Sequence, residues 1–187
     1  MASEACYRIR PPTSGETAKL AAILAAMERH YDATLSDDEA TAAAARLLGG
    51  SAPARCLVAA STAADGHCIG IALFAPLFPG ARFRDVMVLK DLFVLPEARG
   101  KGVARALVAA VAQAAIDAGC ERLDWMADRG NELARAAYRA MGAAEGDKVT
   151  YSVKAQGLAR LAATGHADPR GRRPSRRRGT DPQGSAS

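Results

Sequence analysis

Residues 92–108 read LFVLPEARGKGVARALV: an apolar run, a proline, a short loop with two basic residues and two glycines, then helix-forming residues. A strand that passes through a glycine-containing loop into a helix is an arrangement that holds phosphate. The first helical N–H groups lack intrahelical acceptors, and the helix dipole favours an anion there. Gly100 and Gly102 let the backbone approach a ligand closely, and Arg99 and Lys101 add positive charge. The stretch therefore reads as a pyrophosphate cradle, with Arg99 and Lys101 either touching phosphate or remaining solvated loop charges. Neither of two familiar phosphate motifs is present: no GxxxxGKS/T run occurs, and Arg105 stands where a GxGxxG motif needs its third glycine.

Other chemistry-bearing residues are spaced for helices. Asn131 and Tyr138 lie two helical turns apart and so share a face. Asn131 is placed to cap that helix. Tyr138, read from the helix alone, is a core aromatic with its hydroxyl at the surface. Glu28, His30, Tyr31 and Asp32 crowd the end of an earlier helix, either as exposed helix-end residues or as a site for an amine. Trp125 reads as a core residue of a short strand. His67 and His166 sit in turn and tail contexts. Cys6, Cys56, Cys68 and Cys120 stand singly among apolar residues and read as buried free thiols, so no metal site is expected.

Several elements must position these groups. Residues 7–10 predict a short strand ended by Pro11-Pro12, and residues 17–31 a helix with Leu20, Ile23, Leu24 and Met27 on one face. Ser36-Asp37-Asp38-Glu39 is a capping box that opens a second helix, running to Gly49-Gly50. Residues 55–61 and 68–76 read as strands joined by a hairpin signal, and residues 85–94 as a long, mostly apolar strand. The basic loop leads into a helix through about residue 118, stopped by Gly119. A strand at 122–126, a helix at 131–141 closed by Gly142, and a last strand at 148–153 complete the order. The expectation is an α/β (α+β) fold, a mixed sheet with helices on its faces.

Composition bounds the rest. A chain of 187 residues supports one good core. Residues 155–187 hold seven arginines against two aspartates, which accounts for the whole net charge of +5. Rich in Arg, Pro, Gly and Ser and poor in large apolar residues, this segment is expected to be a disordered basic tail after a domain at 1–154. The tail lacks interleaved aromatics, so nucleic-acid binding is disfavoured against a solvated extension. No apolar run approaches a membrane span and the N-terminus lacks a signal-like apolar segment, so no membrane association and a cytoplasmic location are expected.

The pattern Arg99-x-x-Gly102-x-Ala104, following Leu-Phe-Val-Leu-Pro, resembles the acyl-CoA-binding motif of the GNAT acetyltransferase superfamily. The order of elements over about residues 5–153 follows that family too. Lys90-Asp91-Leu92-Phe93-Val94 with the later Asn131-x-x-Ala134-x-x-x-Tyr138 is similar to its diamine acetyltransferase-like branch. The resemblance implies a mostly antiparallel twisted sheet splayed at the motif strand. It also implies transfer of acetyl from acetyl-CoA to an amine, with no metal.

On that resemblance, the backbone of Leu92, Phe93 and Val94 would pair with pantetheine, as an open sheet edge pairs with a strand. Arg99, Gly100, Lys101, Gly102, Val103, Ala104 and Arg105 would hold the pyrophosphate. Asn131 would contact pantetheine as well as cap its helix, and Tyr138 would protonate the departing thiolate. The branch carries Glu-Asp where this chain has Lys90-Asp91, so Asp91 is the remaining candidate base. A lysine there disfavours a polycation. Glu28, His30, Tyr31 and Asp32 would hold an amine while Lys90 or Arg84 holds a carboxylate on the same small molecule. An acyl-CoA-binding sensor with little turnover is the alternative, and dimers, frequent in the family, leave a homodimer open.

Overall fold

A computed structural model describes residues 6–50, 52–63 and 66–164. The chain divides into two compact units, Met1–Ala143 and Ala144–Ser187. In the first, five strands form one sheet in chain order: β1 (Tyr7–Arg10), β2 (Arg55–Ser61), β3 (Cys68–Leu77), β4 (Val86–Val94) and β5 (Leu123–Trp125). β1 to β4 run antiparallel to their neighbours, and β5 runs parallel to β4. The helices are α1 (Thr17–His30), α2 (Asp37–Leu48), α3 (Val103–Asp117) and α4 (Glu132–Ala140).

Alternation along the strands sorts the core into two layers. Val58, Ile71 and Phe93 face α1 and α2, where Leu20, Ile23, Leu24 and Met27 meet them. Ala59, Ala72, Met87, Leu89 and Val94 face α3, where Val103, Leu107 and Val111 meet them. Leu20, Ile71 and Leu107 are fully buried, each contributing about 1.5–3 kcal/mol of apolar burial. Gly70 permits the close approach of α3: a Cβ there would stand 3.0 Å from Val103 Cγ1 and 3.1 Å from Leu107 Cδ1.

Capping fixes both ends of the first layer. Ser36 Oγ accepts from the Glu39 N–H at 3.3 Å while the Glu39 carboxylate accepts from the Ser36 N–H at 2.9 Å, forming the expected box. Ahead of α1, Glu16 accepts two bonds of 2.7 Å from the Arg10 guanidinium and one of 2.7 Å from the Thr13 N–H. These ties join β1 to α1. The Arg10 hydrogen bonds, then the Thr13 N–H, pull the Glu16 carboxyl down to about 2.

Three sequence expectations change. Of the four cysteines only Cys68 is buried; Cys56 and Cys120 are half-buried and Cys6 is exposed, because the ends of strands and helices leave one side open. Burial, with a smaller effect of Cys68, pushes the Cys56 thiol up to about 12, which leaves it unreactive. Residues 148–153 join no ladder among the described residues, and Val149, Tyr151 and Val153 are exposed. Alternating β-branched and aromatic residues make a strand only where an edge pairs with them. In the second unit α5 (Ala155–Thr164) occupies the start of the segment read as a tail, where alanines and leucines favour helix. The rest of that segment, 165–187, lies outside the described residues. No helix among the described residues is long and apolar enough to cross a membrane.

Candidate active site

β4 is paired on both sides for only part of its length. β5 matches Met87, Val88 and Leu89 to Leu123, Asp124 and Trp125, and then ends. Residues 90–94 continue beside β3 with no strand on the other side among the described residues. This is the expected splay, and it leaves a row of backbone donors and acceptors open to an extended ligand.

A bulge sets what the opened strand presents. Leu73 pairs with Asp91 and the next residue, Phe74, pairs with Leu89, so Lys90 is an extra residue. Before it, Met87 and Leu89 face α3; after it, Leu92 and Val94 do. The inversion turns Phe93 toward α1 and α2. Asp91, opposite Leu73 of that same layer, shares the α1 face. Lys90 Nζ lies 3.4 Å from Asp91 Oδ1, with the lysine side chain 68% exposed and the aspartate 29%.

At the end of the opened strand the loop turns into α3. Gly102 caps the helix at φ 77°, and Gly100 has φ 74°, both in the left-handed region. Buried Val103 anchors the first turn in the core, and Ala106 N donates to Gly102 O at 3.0 Å. The N–H groups ahead of Ala106 are the helix's intrinsically unpaired donors. Arg99 Nε donates to Val94 O at 3.1 Å, which ties the loop to the strand and directs this basic residue partly inward. Tyr7 Oη donates to Lys101 O at 3.4 Å, so β1 also steadies the loop. Lys101 and Arg105 are exposed.

Two helix ends contribute the remaining residues. The α1 end places His30 against Phe93, with ring centroids 5.6 Å apart, and against Tyr31 at 5.3 Å. Tyr31 N and Ala33 N both donate to Glu28 O, and Asp32 takes φ 57° to make the turn. In α4, Asn131 Oδ1 accepts from the Ala134 N–H at 3.1 Å, fulfilling its capping role. Tyr138 is half-buried and packs edge-on against Trp125 at 5.4 Å. Burial, and secondarily Tyr31, pushes the Tyr138 phenol above its usual value, favouring its protonated form. A phenol held protonated can donate.

Thus His30, Tyr31, Tyr138 and the opened part of β4 are linked by contact or electrostatic reach. Glu28 and Asp32 belong to the same helix end. The sequence reading missed the bulge, the Trp125–Tyr138 contact and the supporting roles of Tyr7 and the Phe93 ring. A polar Lys90-Asp91 pair inside an apolar strand was the available signal for the bulge. A cleft of about 370 Å³ lined by Ala18, Lys19, Ala22, Ile23, His67, Cys68 and Leu95 holds none of the candidate side chains.

Comparisons with known proteins bear on the same elements. The chain is 38% identical over 92 residues to an aminoglycoside N(6')-acetyltransferase type 1 of Stenotrophomonas maltophilia, across 48% of this chain and 60% of that protein. It is 33% identical over 98 residues to a thialysine N-epsilon-acetyltransferase of Bos taurus, across 47% of this chain and 54% of that protein. The matches therefore span a little over half the length of these curated relatives. An integron cassette protein from V. cholerae shares the fold at TM-score 0.75 and 28% identity, over 84% of this chain and 98% of that one. An aminoglycoside N-acetyltransferase solved in complex with CoA shares it at TM-score 0.67 and 22% identity, over 83% and 99%. Residues 20–143, which include β2 to β5 and α2 to α4, match the family described as acetyltransferase (GNAT) family, and to that family the chain belongs.

Proposed function

We propose that the chain transfers an acetyl group from acetyl-CoA to the primary amine of a small molecule, by direct attack while both are bound. The observation that most supports this is the open edge of β4 running into the N-terminus of α3. The residues suit acetyl-CoA. The edge at Leu92, Phe93 and Val94, where Arg99 Nε already holds Val94 O, offers its remaining groups for strand-like pairing to pantetheine amides. The donors from Gly100 to Arg105 offer an anion site, and a Cβ built at Gly100 would meet nothing within 4 Å, so that turn is open to a ligand. Asn131, whose Oδ1 caps α4, has its amide N–H groups for a pantetheine carbonyl.

Acetyl-CoA supplies the activated acyl carbon, and the chain's residues handle protons and position. Tyr138 gives its phenolic proton to the sulfur as the C–S bond breaks, and Trp125 holds that ring in place. Backbone N–H groups of the opened strand stabilise negative charge on the acyl oxygen. Glu28 and Asp32 with Tyr31 suit an ammonium, while Lys90 at the bulge suits a carboxylate. The acceptor is accordingly an amino-acid-like or other small amine. The two curated relatives, named for an aminoglycoside and for thialysine, support an amine acceptor.

The test is thiol release from acetyl-CoA against a panel of amino acids, polyamines, aminoglycosides and peptides. Turnover on an amino-acid-like amine is expected. Strong preference for spermidine with no amino-acid turnover would overturn the substrate assignment. Tight acetyl-CoA binding without turnover on any amine would overturn the enzyme reading in favour of an acyl-CoA sensor.

A further inference from the structure

We propose that His30, rather than a carboxylate of β4, takes the proton from the acceptor ammonium; this rests on the acetyl-transfer reading above. An ammonium has no lone pair and must lose a proton before it attacks a thioester. Asp91 is the carboxylate on the α1 face of the opened strand, but Lys90 Nζ already stands 3.4 Å from its Oδ1. An incoming ammonium would share that oxygen with a cation and be repelled by it.

His30 is differently placed. The Lys90 bulge turns Phe93 onto the α1 face, and the imidazole rests on the Phe93 ring at 5.6 Å. Phe93 belongs to the stretch of β4 beyond the end of β5, so the contact fixes His30 beside the segment that would hold the thioester. Tyr31 braces its other side at 5.3 Å. Neither ring nitrogen makes a hydrogen bond to another described residue, so a lone pair is available to substrate. Imidazole is the side chain best suited to exchanging a proton near neutral pH.

The base then packs on β4 through Phe93, and the acid packs on β5 through Trp125. Tyr31, next to His30, is close enough to raise the Tyr138 phenol. The charged and titratable groups beside His30 in the chain are Glu28, Arg29, Tyr31 and Asp32, and Asp91, with Lys90 on its Oδ1, lies on the β4 face turned toward α1. One imidazole nitrogen takes one ammonium proton and passes it to solvent, and the amine nitrogen bonds to the acyl carbon. The adduct then gives its second N–H proton to the same imidazole as the C–S bond breaks and the sulfur takes the Tyr138 proton; the imidazolium releases that proton to solvent and the phenolate regains one from it.

The experiment compares the full chain with H30Q, H30A and D91N, following thiol release across pH with an amine that the wild type acetylates. Calorimetry with acetyl-CoA checks that each variant is folded and binds. H30Q is expected to bind acetyl-CoA within about twofold of wild type and to lose roughly 100-fold or more in kcat. The acidic limb of its kcat/KM profile should disappear, and added imidazole should restore part of the rate to H30A. D91N should keep the acidic limb, and a D91N profile that loses it would return the base to Asp91. Retention of the rate and limb by H30Q, or a loss in H30Q that leaves the limb intact with no imidazole rescue of H30A, would overturn the assignment. Absence of turnover by the wild type would overturn the acetyl-transfer reading itself and this assignment with it.

Discussion

Tyr138 combines three conditions that a proton donor to sulfur needs: partial burial, a fixed ring and a phenol that keeps its proton. Burial and Tyr31 raise its pKa from the ordinary 10.0, so the protonated form persists to higher pH than a free tyrosine allows. Y138F should therefore lower kcat by roughly 100-fold, the lower end of what a positioned acid contributes, while acetyl-CoA affinity changes little. In wild type the alkaline limb of kcat should lie above the ordinary phenol value; pH-rate profiles of both proteins check this. A Y138F enzyme with unchanged kcat would reduce Tyr138 to a packing residue. Its contacts explain why sequence left the two readings open. Seven-residue spacing placed Tyr138 on a face with Asn131, but only the ring pairing with Trp125 shows what that face meets.

Two elements carry the site's geometry. The loop into α3 depends on Gly102 in the left-handed region, φ 77°, where a side chain costs about 1–2 kcal/mol. A Cβ at Gly102 would stand 3.6 Å from Tyr7 Oη, an ordinary contact, so the cost of G102A is conformational. Thermal unfolding should show G102A less stable by that amount, and calorimetry should show weaker acetyl-CoA binding; unchanged values for both would argue against a strained cradle. The tie between β1 and α1 makes a separate prediction. Glu16 is held down to about 2, from an ordinary 4.5, chiefly by the Arg10 guanidinium and the Thr13 N–H. Its ionised form stabilises the fold above pH 4.5, and that contribution is lost as pH falls toward 2. E16Q should be less stable than wild type at pH 7, with the difference narrowing across that acid window in denaturant titrations. A difference independent of pH would contradict the assignment. The α1 and α2 boundaries and the α3 loop were legible because caps and glycines act locally. The bulge was only hinted at by the Lys90-Asp91 pair, because an inserted residue is defined by its partner strand: VMVLKDLFV reads as one run until Leu73 and Phe74 pair with Asp91 and Leu89.

At the scale of the molecule, the proposed function depends on a sheet that stops pairing partway along its fourth strand. Sequence pattern located all five strands of this sheet and their helices, since apolar periodicity reports which side of each element is covered. It also predicted a strand at 148–153, and there alternation misled, because period-two patterning says nothing about whether an edge receives it. The splay was legible only through family resemblance, as no residue in β4 or β5 marks where their pairing ends. The central claim is that residues 90–94 and the N-terminus of α3 together receive acetyl-CoA. Backbone hydrogen exchange on the full chain, with and without acetyl-CoA, measures this directly. Protection gained at residues 90–94 and 100–106 is the predicted result. Binding that leaves both segments unchanged and protects another part of the chain would contradict the account.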